Sequence, residues 1–305
     1  MPITIFSHPS CYYHENGVDH PECPERLSAI NDQLIRSGMD YVAMQQDASP
    51  ASIEALYLAH GKRYVDELFA KAPAEGHIWL DPDTIMGPKS LTAALHAAGS
   101  GINAVDKVLA GINQQAFCAV RPPGHHATRE QAMGFCLLNN IAVAAEHALN
   151  QYQLERIAIV DFDVHHGNGT EDIFRHEPRV LFCSSFEHPL YPYTGVEDQA
   201  DNSINLPLPG GCRGANWREQ VNRHWLPAID DFAPQLILVS AGFDGHAEDD
   251  MAHFMLREDD YQWIATELKL LADKHCQGRI VAMLEGGYAL SALGRSVVAF
   301  LKGLS

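Results

Sequence analysis

Apolar residues in this chain fall into short continuous runs, separated by longer stretches where apolar positions recur every three or four residues. The runs are ITIF (3–6), AFCAV (116–120), RIAIVDFDV (156–164), RVLFCSS (179–185), QLILVSAGFD (235–244) and RIVAMLEGG (279–287). Continuous rather than alternating apolarity is what a strand needs when both faces of its sheet are covered. The patterns over 24–38, 90–111, 139–151 and 260–276 predict helices, with Gly38 and Gly111 placed as helix stops. Strands alternating with helices predict an α/β fold in three layers, a mainly parallel sheet flanked by helices. No repeat, low-complexity segment or linker interrupts residues 1–305, so a single domain is expected. Long loops at 7–25, 72–90, 186–216 and 245–259 are expected at the C-terminal ends of the strands, where parallel sheets collect ligands.

Composition narrows the function classes. The chain carries 39 Asp and Glu against 21 Lys and Arg, a net charge of −18. That balance argues against nucleic acid or an anionic membrane as partner and favours a cationic substrate. Seven cysteines without a CxxC pair fit a reducing cytoplasm better than a disulfide framework or a zinc knuckle. Neither a signal peptide nor an apolar run long enough to span a bilayer is seen.

Candidate chemistry gathers where the apolar runs end. After IAIV come Asp161, Asp163 and His165, spaced i, i+2, i+4 and so placed on one side of an extended backbone. Charges beside a buried strand need compensation. LILVSAGFD repeats the design and ends in Asp244. Asp163, His165 and Asp244 would form a three-ligand cation site with open positions, as in a catalytic rather than a structural zinc centre. The plainer alternative is that Asp161 and Asp163 cap a following helix. A third strand is followed by the stiff turn Pro122-Pro123-Gly124, which presents His125 and His126. A fourth is followed by Gly286, Gly287 and Tyr288, whose hydroxyl could donate to an oxyanion beside a metal. PLPGGCRG (207–214) lacks the lysine of a phosphate loop and reads as a turn.

Taken in order, RPPGHHA, GFCLLNN, DFDVHHGNG, SAGFDGH and LEGGYAL resemble the motifs of the zinc-dependent histone deacetylase family, within the arginase–deacetylase fold. HPECPERL (20–27) and the Asn of HHGNG are more similar to the class II branch and its bacterial relatives than to class I. The resemblance implies one zinc per chain on Asp163, His165 and Asp244, the set already suggested by spacing. It implies His125 and His126 at a zinc-bound water, Asp161 orienting His125, Asn168 beside His126 and Tyr288 as oxyanion donor. Asn168 stands where many class I members have Asp, so His126 should be less basic than with an anionic partner. Phe135 and Tyr191 match the walls of an acyl-lysine tunnel, Tyr191 replacing the usual Phe, with Gly134 and Gly286 beside them. A structural potassium is implied at Asp161, Asp163, His165, Ser184 and Ser185, largely through backbone carbonyls.

The expected activity is hydrolysis of an N-acetyl amide on a flexible primary amine, with His126 as proton acceptor. Acetyl-lysine in proteins or peptides is the first substrate reading, and an acetylated polyamine is the alternative. A scaffold that binds acyl-lysine without efficient turnover is the rival from another class, and Tyr288 counts against it. An arginase-like two-metal site would need carboxylates where the chain has His125, His126 and Tyr288. Zinc, ferrous iron and cobalt all suit two carboxylates and an imidazole, so the resident metal stays open. Residues 7–25 are also a candidate interface in a homo-oligomer. His8, His14 and His20 are expected near the rim of the site, and Arg26 is expected to tie down the N-terminal loop.

Overall fold

A computed structural model describes residues 3–17 and 19–305. Among the described residues ten strands are present: β1 (Thr4–Ser7), β2 (Met44–Asp47), β3 (Ile78–Asp81), β4 (Thr84–Met86), β5 (Gln115–Cys118), β6 (Ile157–Asp161), β7 (Val180–Glu187), β8 (Ser203–Leu208), β9 (Leu236–Ala241) and β10 (Ile280–Leu284). The α-helices are α1 (Glu25–Ser37), α2 (Ile53–Ala59), α3 (Lys62–Lys71), α4 (Ser90–Leu109), α5 (Asn140–Gln151), α6 (Asn168–Phe174), α7 (Gly214–Phe232), α8 (Glu258–His275) and α9 (Leu290–Leu304).

Eight strands form one sheet in the order β2-β1-β5-β10-β9-β6-β7-β8, every pairing parallel. β3 and β4 form a separate antiparallel ribbon. α1, α7, α8 and α9 pack as one group and α2, α3, α4 and α5 as another, so the sheet lies between two helical layers. This is the predicted three-layer architecture. The central strands β6, β9 and β10 are buried at every position, which explains their unbroken apolarity. Gly38 ends α1 at φ 73°, and Gly111 follows α4 at φ 70°.

The differences from expectation lie at edges and strand ends. The edge strand β2 (MQQD) is exposed throughout and carries no apolar signal. β3–β4 falls within the expected loop 72–90, β8 within 186–216, and a short 3-10 turn (Pro9–Tyr13) within 7–25. The apolar runs overshoot their strands: β6 stops at Asp161 and β9 at Ala241. Beyond Asp161 the chain turns rather than continuing extended. Asp161 Oδ1 accepts the Asp163 N–H at 3.1 Å, and Asp163 Oδ1 accepts the His165 N–H at 2.9 Å. Phe162 and Phe243 alternate with the acidic residues and turn inward, packing 5.7 Å apart and against Tyr261 and Phe300. Each such aromatic contact contributes about 0.5–1.5 kcal/mol beyond its buried area, which anchors the two strand ends. Among the described residues, no helix is long and apolar enough to cross a membrane. All seven cysteines are free.

Candidate active site

Four adjacent strands, β5, β10, β9 and β6, deliver their C-terminal ends to one place. Asp163 and His165 follow β6 and Asp244 follows β9. Their side chains offer one donor atom each within 4.8 Å of one another, and all three are buried. His165 Nδ1 lies 3.1 Å from Asp163 Oδ1 and 3.2 Å from Asp244 Oδ2. Asp244 Oδ1 accepts the Val164 N–H at 3.0 Å, and Asp163 Oδ2 accepts the Gly286 N–H at 2.8 Å. Helix α6 has no side-chain N-cap, so Asp161 and Asp163 are not its capping residues.

Opposing charges set the electrostatics of this cluster. Burial and then repulsion from Asp163 raise the Asp244 carboxyl to about 6. Burial acts the same way on Asp163, but His125 and His165 hold it below the usual carboxylate range. Burial disfavours charge on His165, yet its bonds to both carboxylates push it up to about 10. Two buried carboxylates converging on one imidazole nitrogen are a donor set that a divalent cation fits. Gly286 leaves the space: a Cβ there would lie 2.0 Å from Asp244 Oδ2 and 2.7 Å from Asp163 Oδ2.

The paired histidines stand beside this cluster with rings 4.0 Å apart, and their environments differ. His125 Nδ1 pairs with Asp161 Oδ2 at 2.9 Å, and its Nε2 is 3.8 Å from Asp163 Oδ2. Burial opposes its charge, but Asp161 and Asp163 prevail and raise it well above the ordinary imidazole value. His126 Nδ1 is 2.8 Å from Asn168 Oδ1, and the Asn168 amide nitrogen in turn meets Met133 Sδ at 3.4 Å. Burial, then His125 and His165, hold His126 well below the ordinary value. The two imidazoles are thus pushed in opposite directions, a separation suited to acid–base work.

Phe135 and Tyr191 both line a cavity of about 210 Å³, which His125, His126, Gly134, His165, Gly286 and Tyr288 also line. Tyr288 meets Phe135 edge-on at 6.2 Å, and Tyr191 meets His126 at 5.2 Å. Burial raises the Tyr288 phenol well above 10, so it remains a donor. Among the described residues the buried Tyr191 hydroxyl finds no hydrogen-bond partner. Ser184 sits opposite Asp161 in the β6–β7 register. The hydroxyls of Ser184 and Ser185 are engaged by His166 at 3.0 Å and Trp217 at 2.9 Å.

Several residues of this region were not singled out in the sequence. Glu285 accepts the Gly124 and His125 N–H groups at 2.6 and 3.1 Å, and burial raises it to about 7. An acidic residue ending an apolar strand could have flagged it, as it did Asp161. Asp249 accepts the Tyr288 and Ala289 N–H groups at 2.6 and 2.9 Å, which orients the tyrosine. Asp83, Leu190 and Met251 line the cavity from three loops.

Glu22 joins the buried guanidiniums of Arg26 and Arg121. Burial works against its charge, but Arg121, then His14 and Arg26, lower it to about 2. Arg26 Nε donates to Gly287 O at 2.7 Å, so it ties the N-terminal loop to the Tyr288 turn. Of the three rim histidines, His14 is fully buried on Ser90, His20 packs 4.6 Å from Phe135, and His8 stacks on His96.

The site is thus a pocket lined by imidazoles and a carboxylate at the C-terminal ends of the strands, beside a buried Asp163–His165–Asp244 cluster that could hold a metal ion. The chain belongs to the histone deacetylase family: residues 20–304 match the histone deacetylase domain. It is 38% identical to the histone deacetylase-like amidohydrolase of Pseudomonas aeruginosa, over 94% of this chain and 78% of that one. It is 36% identical to the polyamine deacetylase HDAC10 of Mus musculus, over 93% of this chain and 44% of the longer mouse protein. The crystal structure of the HDA15 HD domain superposes with a TM-score of 0.93 at 32% identity, covering 99% of this chain and 88% of that one. The fold is the arginase–deacetylase fold.

Proposed function

We propose that this protein is a zinc-dependent deacetylase that removes acetyl groups from N-acetylated amines, acetyl-lysine in peptides or proteins first among them. The observation that carries the reading is the convergence of Asp163, His165 and Asp244 into one buried cluster, whose His165 lines a cavity shared with His125, His126 and Tyr288. In this reading residues 1–305 are one deacetylase domain, and Asp163, His165 and Asp244 hold one zinc ion. A zinc so held would polarise the acetyl carbonyl and lower the pKa of water in the site.

The chain's own residues do the rest. With Asn168 Oδ1 as acceptor, His126 keeps its proton on Nδ1 and offers Nε2 as the base. The same nitrogen then returns the proton to the departing amine. His125, held cationic by Asp161, balances the negative charge that develops nearby. The Tyr288 hydroxyl donates to the oxyanion on the acetyl carbon, and Asp249 fixes its backbone. Phe135 and Tyr191 enclose the apolar stem of the amine, with Gly134 and Gly286 keeping the passage open. Backbone carbonyls at Asp161, Asp163, His165, Ser184 and Ser185 are the proposed seat of a structural potassium.

An acetylated polyamine is the second substrate reading. It is supported by the polyamine deacetylase relative, by the net charge of −18, and by the Asp83 carboxylate on the cavity wall. Parallel turnover of acetyl-lysine peptides, acetylputrescine and acetylspermidine, with metal analysis of the same preparation, separates the two. Release of acetate from none of them by zinc-loaded protein that binds acetyl-lysine peptide overturns the enzymatic reading in favour of a binding scaffold.

A further inference from the structure

The β3–β4 ribbon stands apart from the main sheet, yet its turn reaches the cavity wall. Asp83 Oδ1 accepts the Gly134 N–H at 3.0 Å, and Thr84 Oγ1 accepts the Phe135 N–H at 3.1 Å. Thr84, itself buried, donates its hydroxyl to the same Asp83 oxygen at 2.8 Å. One carboxylate oxygen and one hydroxyl thus hold two consecutive amides from a segment some fifty positions later in the chain.

Those amides belong to an unusual stretch of backbone. Gly134 has φ 56° and Phe135 has φ 68°, so both are left-handed. Glycine adopts that conformation freely, but in phenylalanine the Cβ crowds the following carbonyl. Such a residue persists only where its surroundings over-determine it. Met133 and Cys136 close the turn by exchanging hydrogen bonds at 3.2 and 2.9 Å, which leaves the Gly134 and Phe135 N–H groups at its tip. The ribbon takes both. Gly134 is also pressed against His126, since a Cβ there would lie 2.4 Å from that ring. The outcome is a Phe135 ring set edge-on to His20 and Tyr288 along the cavity.

We propose that Asp83 and Thr84 are positioning residues that lock Phe135 in the left-handed conformation, so that the β3–β4 ribbon sets how tightly the substrate stem is gripped. The inference rests on the reading of Phe135 as a wall of the substrate channel. Asp83 also lines the cavity, whereas Thr84 does not, so Thr84 isolates the effect.

Thr84→Val keeps the branched shape and removes the acceptor, while Thr84→Ser keeps the hydroxyl. In Thr84→Val the Phe135 amide is expected to exchange with solvent deuterium ~10-fold faster or more, as for loss of a buried hydrogen bond. KM for an acetyl-lysine peptide is expected to rise ~10-fold with kcat nearly unchanged, the signature of weakened uniform binding. Thr84→Ser should restore both. Unchanged exchange in Thr84→Val overturns the lock, and faster exchange with unaltered KM overturns its positioning role. Should Thr84→Val fail to fold, Thr84→Ala removes the same acceptor without its bulk and is judged by the same two readouts. A wild-type protein inert toward every acyl-amine strikes the functional reading instead, and the exchange measurement still judges the lock.

Discussion

Gly286→Ala puts the proposed metal centre to a geometric test. The added methyl would lie 2.0 Å from Asp244 Oδ2, and real Cβ atoms essentially never come within 3.0 Å of a neighbour, so that oxygen and the residue 286 backbone must separate by about 1 Å or more. Metal–ligand distances tolerate only ~0.2 Å. Replacing a partner that merely orients a ligand costs ~10–100-fold in metal affinity, and displacing the ligand itself should exceed that. Overpacking one methyl costs about 1–3 kcal/mol of stability, which a sheet of eight strands survives. The assay is zinc affinity by competition with a chelator, alongside thermal melting by circular dichroism. The expected result is a folded protein whose zinc affinity has fallen more than ~100-fold. Gly242→Ala, whose Cβ would lie 2.0 Å from Asp163 Oδ2, should behave alike. A folded Gly286→Ala protein that binds zinc as tightly as the parent refutes the assignment of Asp244 and Asp163 as ligands.

Three further outcomes follow from the site. Tyr288→Phe should lower kcat by ~10²–10³-fold with zinc content unchanged, and retention of full turnover removes the tyrosine from the mechanism. Asn168→Asp places an anion against His126 Nδ1 and raises the pKa of that imidazole; because the base must be neutral, the acid limb of the kcat/KM profile should move to higher pH. An acid limb that stays put, or moves to lower pH, excludes His126 as the base. Glu22 ionises at about 2 in the fold against 4.5 unperturbed, so its contribution of about 3 kcal/mol is complete above pH 4.5 and fades as the pH falls toward 2. Urea melts from pH 6 to 3 should therefore show a stability loss that Glu22→Gln lacks, the variant being weaker throughout because it strands two buried guanidiniums.

The core of the sheet was legible because strands covered on both faces must be apolar at every position, and β6, β9 and β10 are. The polar edge strand β2 had no such constraint, and β8 was hidden within a run of Pro and Gly. α9 is largely buried yet keeps a one-sided apolar pattern, with Ser291 and Lys302 exposed, so it was legible although not among the predicted helices. At the site, the side chains that announce themselves are the charged ones that end apolar strands. Asp249, Asp83 and Thr84 leave no such mark, because each acts through backbone amides brought to it by distant loops. Periodicity is silent about a contact of that kind.

The order of strands has a consequence for synthesis. β10 follows the other nine strands in the chain, yet it lies inside the sheet, bonded to β5 on one side and β9 on the other. Until residues 280–284 leave the ribosome, the sheet can exist only as two unjoined halves, each offering a bare strand to any neighbour. The last strand to be made therefore closes the seam and, in the same movement, delivers Tyr288, on which the proposed mechanism depends.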